Sequence, residues 1–134
     1  MPTRQNYKTT TCFLIDDDPD DQEIFLMALK EVDENIQGVV ANNGIEALAK
    51  LGSDRNFIPT HIFLDVNMQK MNGLQCLPAI KKLDHLKDSK VIMFSTTSEE
   101  HIVKQCEGLG ASHFLVKPSS FGLLIEALHR ILKE

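Results

Sequence analysis

The stretch HIFLDVNM, His61 to Met68, decides how this chain folds. Three apolar residues, Ile62, Phe63 and Leu64, run straight into a single carboxylate, Asp65. A continuous apolar run, as opposed to an alternating one, marks a strand covered on both faces. An acid at the carboxyl end of such a strand stands where open α/β sheets place their chemistry. Taken alone, Asp65 has a plainer reading as a turn residue or a helix N-cap. The other strands must therefore decide what it is.

Working outward, four more runs of the same kind appear: Cys12 to Ile15, Val39 to Ala41, Val91 to Phe94, and Phe114 to Val116. Between them lie helical patterns. Asp18 followed by Pro19 reads as an N-cap and first helical residue, with acids in the first turn and an apolar side reaching Val32. Asn43-Gly44 opens a short helix over Ile45 to Leu51. Gly73 opens another over Leu74 to Lys82, which Pro78 should bend or shorten. Ser98 should begin a fourth helix that ends near Gly108. Ser119 or Ser120 should cap the last, whose apolar face is Phe121, Leu124, Ile125, Leu128 and Leu132. Five β-α units with right-handed crossovers predict one doubly wound α/β domain with a parallel five-stranded sheet. The flavodoxin-like order 2-1-3-4-5 is the expected arrangement. Residues 1–10 are expected to be a flexible lead and 11–134 the folded domain.

Composition narrows the function. The 134 residues are 43% hydrophobic and 25% charged, ordinary for a globular domain. A net charge of −5 argues against direct binding to nucleic acid, which calls for Lys and Arg. No apolar stretch is long enough for a signal peptide or membrane span, so a cytoplasmic location is expected. Cys12, Cys76 and Cys106 are odd in number and widely spaced, and read as small hydrophobes.

At the carboxyl ends, the first strand presents Asp16-Asp17, the third Asp65 with Asn67, the fourth Ser95-Thr96-Thr97, and the fifth Lys117-Pro118. Three close carboxylates cannot all stay ionised without a counter-charge. A hard divalent cation such as Mg²⁺ with oxygen ligands answers that need, and the backbone carbonyl of Asn67 could join it. Asp65 could then attack an anionic phosphorus. Lys117 and Ser95 would meet the phosphoryl oxygens, and the Asn67 side chain would lie near them.

FLIDDDPDD (13–21), ANNGIEAL (41–48), HIFLDVNMQKMNGL (61–74), VIMFSTTSEE (91–100) and HFLVKPSS (113–120) together resemble a response-regulator receiver domain of two-component signalling. The likeness spans the chain from about Thr11. It implies that Asp65 is the phosphoacceptor, Asp16 and Asp17 the Mg²⁺-binding pair, and Asn67 a carbonyl ligand. It implies further that Ser95 is the switch hydroxyl, Phe114 the switch aromatic and Lys117 the phosphate-sensing lysine. Phosphoryl would arrive from a sensor histidine kinase or a histidine phosphotransfer protein. The response would alter the surface made by the fourth helix, fifth strand and fifth helix, including His101 to Lys104, and a downstream protein or a second copy of the chain would read it. The resemblance implies a signalling module that assists its own phosphorylation and dephosphorylation.

The receiver pattern has a Pro or small residue two positions after its second acid, so with Pro19 the resemblance implies Asp16 and Asp17 as the metal pair, with Asp18 the N-cap and Asp20 and Asp21 solvated first-turn acids. The chain departs from the usual pattern at Gln69, where a Pro is common, at Ser95 for Thr, at Phe114 for Tyr, and at Thr96 for Ala. Thr96 is bulkier and could restrict access to the phosphoryl group or hinder inward rotation of Phe114. With Glu134 soon after the last helix, a stand-alone receiver is expected. A pseudo-receiver that binds partners without phosphorylation runs against the intact acid, hydroxyl and lysine set. An aspartyl-phosphate hydrolase would call for a second acid where Asn67 stands. A calcium loop at DDDPDD lacks the needed Gly.

Overall fold

A computed structural model describes residues 9–68, 70–96 and 98–133. Eight residues of the expected flexible lead, together with Gln69 and Thr97, lie outside the described residues. The strands are β1 (Thr11–Ile15), β2 (Gln37–Ala41), β3 (His61–Asp65), β4 (Lys90–Ser95) and β5 (His113–Val116). The helices are α1 (Pro19–Val32), α2 (Gly44–Ser53), α3 (Gly73–Lys81), α4 (Glu100–Gly108) and α5 (Phe121–Leu132). All strand pairs are parallel and the order is β2-β1-β3-β4-β5, as expected.

Two apolar layers cover the sheet, and the period of two along each strand decides which side chain joins which. Phe13, Ile15, Ile62, Leu64, Val91 and Met93 pack toward α2, α3 and α4. Cys12, Leu14, Phe63, Ile92 and Phe94 pack toward α1 and α5. On that second face Phe63 meets Phe25 of α1 edge-on, with ring centres 4.9 Å apart, and Phe94 lies beside both rings. The central strand β3 is buried at every residue. The edge strands are not: β2 and β5 are half-buried, and Val116 is exposed. Both faces of the edge strands still meet a layer, Val39 and Phe114 on one side and Val40 and Leu115 on the other, but an edge strand has a neighbour on one side only and so stays partly open.

Helix starts follow the cap chemistry with one correction. The side chains of Asp18, Asn43 and Ser120 each accept a backbone N–H of the following turn. Asn72 and Gln75 form a reciprocal capping box before α3. Ser98 does not start α4: the helix begins at Glu100, and Glu99 precedes it with no side-chain cap. The α3 helix passes through Pro78 and ends at Lys81, after which a short 3-10 turn, Asp84–Leu86, leads into β4. The three cysteines are buried and unbridged, and burial pushes the Cys12 and Cys76 thiols up to about 12 and about 11.

At the amino edge of the sheet, His61 is buried against Thr60. The Thr60 hydroxyl donates to the Thr11 carbonyl, so it accepts from His61 Nδ1 at 2.8 Å. That leaves Nε2 as a bare buried acceptor. Burial first, then the charge of Lys90 and of His113, hold the imidazole down at about 4. A base whose folded pKa is depressed contributes no penalty above its ordinary value of 6.5 and costs stability as pH falls from there through about 4. The full cost is on the order of 3 kcal/mol. Asp16, at the carboxyl edge, is raised to about 6 and titrates in the opposite sense, so the clean measurement is a difference. Denaturant unfolding of wild type and of His61→Leu at pH 7.5 and pH 4 should show the variant gaining on the wild type in acid. A pH-independent difference would refute this.

Candidate functional site

The carboxyl edge is built by three strands that are not adjacent in sequence. Asp16 immediately follows β1, Asp65 ends β3, and Lys117 immediately follows β5. By strand parity all three belong with Leu14, Phe63 and Leu115, on the α1/α5 side. Lys117 Nζ stands 3.1 Å from Asp16 Oδ2 and 3.2 Å from Asp65 Oδ2, and 5.3 Å above the Phe94 ring. Phe94 is the register partner of Asp65, so the floor of the site is aromatic.

Asp16 is wholly buried and Asp65 nearly so. Each uses its Oδ1 to accept a backbone N–H two residues on, from Asp18 at 2.9 Å and from Asn67 at 3.0 Å. These local bonds aim the second oxygen of each carboxylate at Lys117. Burial lifts Asp16 to about 6 despite the lysine and the backbone donor, and it raises Asp65 as well. The carboxylates in turn hold the Lys117 ammonium above its ordinary value, against burial. Asp17 is exposed, and its carboxylate comes within 4.8 Å of those of Asp16 and Asp65. Three mutually close acids offering oxygen atoms alone suit a hard divalent cation. The residues present therefore fit a cation of the Mg²⁺ type. Asn67, Met68 and Asn72 border the opening next to Asp17.

Ser95 is fully buried, ends β4, and pairs in register with Val116. Thr96 after it is exposed. Phe114 is half-buried, pairs with Met93, and packs toward Cys106 and Ile102 on the α4 side. Ser95 and Phe114 thus share the face opposite to Asp65 and Lys117. Among the expected partner-facing residues, His101 and Lys104 are exposed and engage Glu99 and Glu100.

One expectation is overturned at α1. Asp20 is solvated, but Asp21 is not a solvated acid: its Oδ2 lies 2.8 Å from Lys117 Nζ and its side chain is one-third exposed. The reason is that α1 packs on the same sheet face as Lys117, so its first turn reaches the ammonium. Gln22 is a second residue that pattern reading passes over. Its Nε2 donates to the Asp16 carbonyl at 2.7 Å and to Asn42 Oδ1 at 2.9 Å, tying the ends of β1 and β2. Nothing in the strand pattern marks either residue, because both act from a helix.

The loop after Asp65 is held by close backbone packing. A Cβ on Gly73 would stand 2.5 Å from the Asp65 carbonyl oxygen and 2.9 Å from Val66 Cα. Gly73 N–H also donates to the Val66 carbonyl at 3.0 Å. Met71 takes a left-handed backbone, φ 54, against Gly44.

A five-stranded doubly wound sheet with an acid cluster and a lysine at its carboxyl edge is the arrangement of a receiver domain, and the comparisons agree in class. The profile of the response regulator receiver domain matches residues 12–129, so the chain belongs to that family. Several relatives are chemotaxis proteins. The chain is 30% identical over 117 residues to the chemotaxis protein CheY of Thermotoga maritima, covering 85% of this chain and 93% of that protein. It is 39% identical over 104 residues to the protein-glutamate methylesterase/protein-glutamine glutaminase 3 of Rhodospirillum rubrum, covering 74% of this chain but 26% of that enzyme. The structure superposes on the CheX-CheY-BeF3-Mg²⁺ complex of Borrelia burgdorferi with TM-score 0.77 at 28% identity, covering 94% of this chain and 93% of that one. No helix among the described residues is long and apolar enough to cross a membrane.

Proposed function

We propose that this chain is a phosphorylation-dependent switch that accepts a phosphoryl group on Asp65. The observation that carries the reading is the convergence of Asp16, Asp65 and Lys117 within 3.2 Å contacts at the ends of three separate strands. In the transfer, a carboxylate oxygen of Asp65 forms a bond to phosphorus. The phosphorus–nitrogen bond of a donor phosphohistidine breaks, and its electron pair leaves with the imidazole. Asp16, Asp17, Asp65 and the Asn67 carbonyl would hold Mg²⁺, which supplies neutralisation of the charge that gathers on the phosphoryl oxygens. Lys117 meets those oxygens from the α1/α5 side, Ser95 at the end of β4 from the opposite side, and the Asn67 side chain borders them. A similar receiver solved with BeF3 and Mg²⁺ and with CheX supports a cation at such a site and a protein partner.

Once Asp65 carries the phosphoryl group, Ser95 is drawn toward it and Phe114 turns into the space left beneath β4. The α4-β5-α5 surface then shifts between two packings. A histidine kinase or phosphotransfer protein is the donor, and a protein that reads that surface is the receiver of the signal. Incubation with Mg²⁺ and a small phosphodonor, followed by intact mass measurement, should add one phosphoryl group. An unmodified mass under those conditions would leave a partner-binding module without phosphorylation. Rapid turnover of phosphate esters would make the chain a hydrolase instead.

The exposure of Thr96 next to the buried Ser95 supports a role for it in the lifetime of that state. In Thr96→Ala the aspartyl phosphate should decay severalfold faster, because water gains access. An unchanged decay constant would remove Thr96 from this role.

A further inference from the structure

We infer that Asp21 is a positioning residue for Lys117, an anchor that keeps the lysine in the site while releasing Asp16 and Asp65 to a cation; this rests on the function proposed above. An ammonium has three N–H donors. In Lys117 they are met by three carboxylates: Asp21 at 2.8 Å, Asp16 at 3.1 Å and Asp65 at 3.2 Å. Two of those three are the acids that a divalent cation needs, and the shortest contact is to the one that stands outside the cation cluster.

The three partners differ in what they can do. Asp16 and Asp65 sit on rigid strand ends, and each has its other oxygen tied to a backbone N–H. Asp21 comes from the first turn of α1 and is more exposed than either. When a cation takes charge from Asp16 and Asp65, the ammonium loses two attractive partners and gains a repulsive neighbour. Asp21 is then the remaining anion within contact, and it draws Lys117 toward α1. One N–H stays on Asp21, and the others face the position where a phosphoryl oxygen on Asp65 would stand. Without Asp21, Lys117 rests on Asp16 and Asp65 alone and competes directly with the cation.

The test is Mg²⁺ affinity measured by calorimetric titration of the folded, unphosphorylated chain. Asp21→Asn should weaken binding by roughly tenfold, the size of coupling that charged groups in contact display. Asp20→Asn removes the same charge from a neighbouring solvated position and should change affinity by less than about twofold. In a Lys117→Gln background, the loss caused by Asp21→Asn should shrink to that of Asp20→Asn. Asp21→Glu should recover part of the affinity. An equal loss with and without Lys117, or no loss at all, would overturn the anchor while leaving the cation site intact. Failure of the wild type to bind Mg²⁺ or to accept phosphoryl would overturn the proposed function itself, and the anchor with it.

Discussion

Asp65→Asn should abolish phosphoryl uptake from a small donor in the presence of Mg²⁺, to below detection by intact mass. The substitution is nearly isosteric. The amide oxygen can still accept the Asn67 N–H, which the Asp65 carboxylate holds at 3.0 Å. What disappears is the anionic oxygen that forms the bond to phosphorus, and no neighbouring group can replace it. Asp16 is the nearest alternative in chemistry, but it is wholly buried, with one oxygen on the Asp18 N–H and the other on Lys117. Asp17 is exposed at the opening, beside Asn67 and Asn72. The variant should remain folded, because the amide keeps the shape of the carboxylate and the acceptor for the Asn67 N–H. Loss of uptake with an unaltered unfolding curve is therefore the expected pair of results. Uptake retained at wild-type level would move the phosphoacceptor elsewhere and refute the assignment.

The second large effect is on stability. Gly73→Ala places a methyl group 2.5 Å from the Asp65 carbonyl oxygen, 2.9 Å from Val66 Cα and 3.1 Å from the Asp65 carbonyl carbon. All three are backbone atoms of the end of β3, so no side chain can rotate away. Either α3 retreats or β3 shifts. Both loosen the Gly73 N–H bond to the Val66 carbonyl and the packing of Cys76 and Leu77 on the sheet. Overpacking of this kind costs about 1–3 kcal/mol, and a backbone obstacle argues for the upper part of that range. Chemical denaturation should show the loss, and the phosphorylation rate should fall with it because Asp65 moves. Gly52, which has open space around its missing Cβ, is the control: Gly52→Ala should not destabilise the chain. A Gly73→Ala protein as stable as wild type would show that the α3 start is more compliant than its geometry indicates.

Much of the arrangement is legible in the chain itself. Continuous apolar runs ending in Asp16, Asp65, Ser95 and Lys117 locate the carboxyl edge, since the residue that closes a parallel strand lies at that edge whatever the strand's neighbours are. Pro19 settles which of three consecutive acids caps α1, and Asp18 indeed accepts the Asp20 N–H at 2.9 Å. Those are local rules, carried by adjacent residues.

Tertiary structure decided the rest. How deeply a strand is buried depends on its place in the sheet, so the edge strands β2 and β5 are half-buried although their apolar runs read like those of β3. Gln22 and Asp21 look like helix-surface residues, and only the packing of α1 on the Lys117 side of the sheet brings one to the Asp16 carbonyl and the other to the ammonium. The sequence by itself determined which residues stand at the strand ends, because that is a matter of one-dimensional pattern. The direction each faces and the partners it meets depend on how helices lie across strands far away in the chain, which no local pattern records.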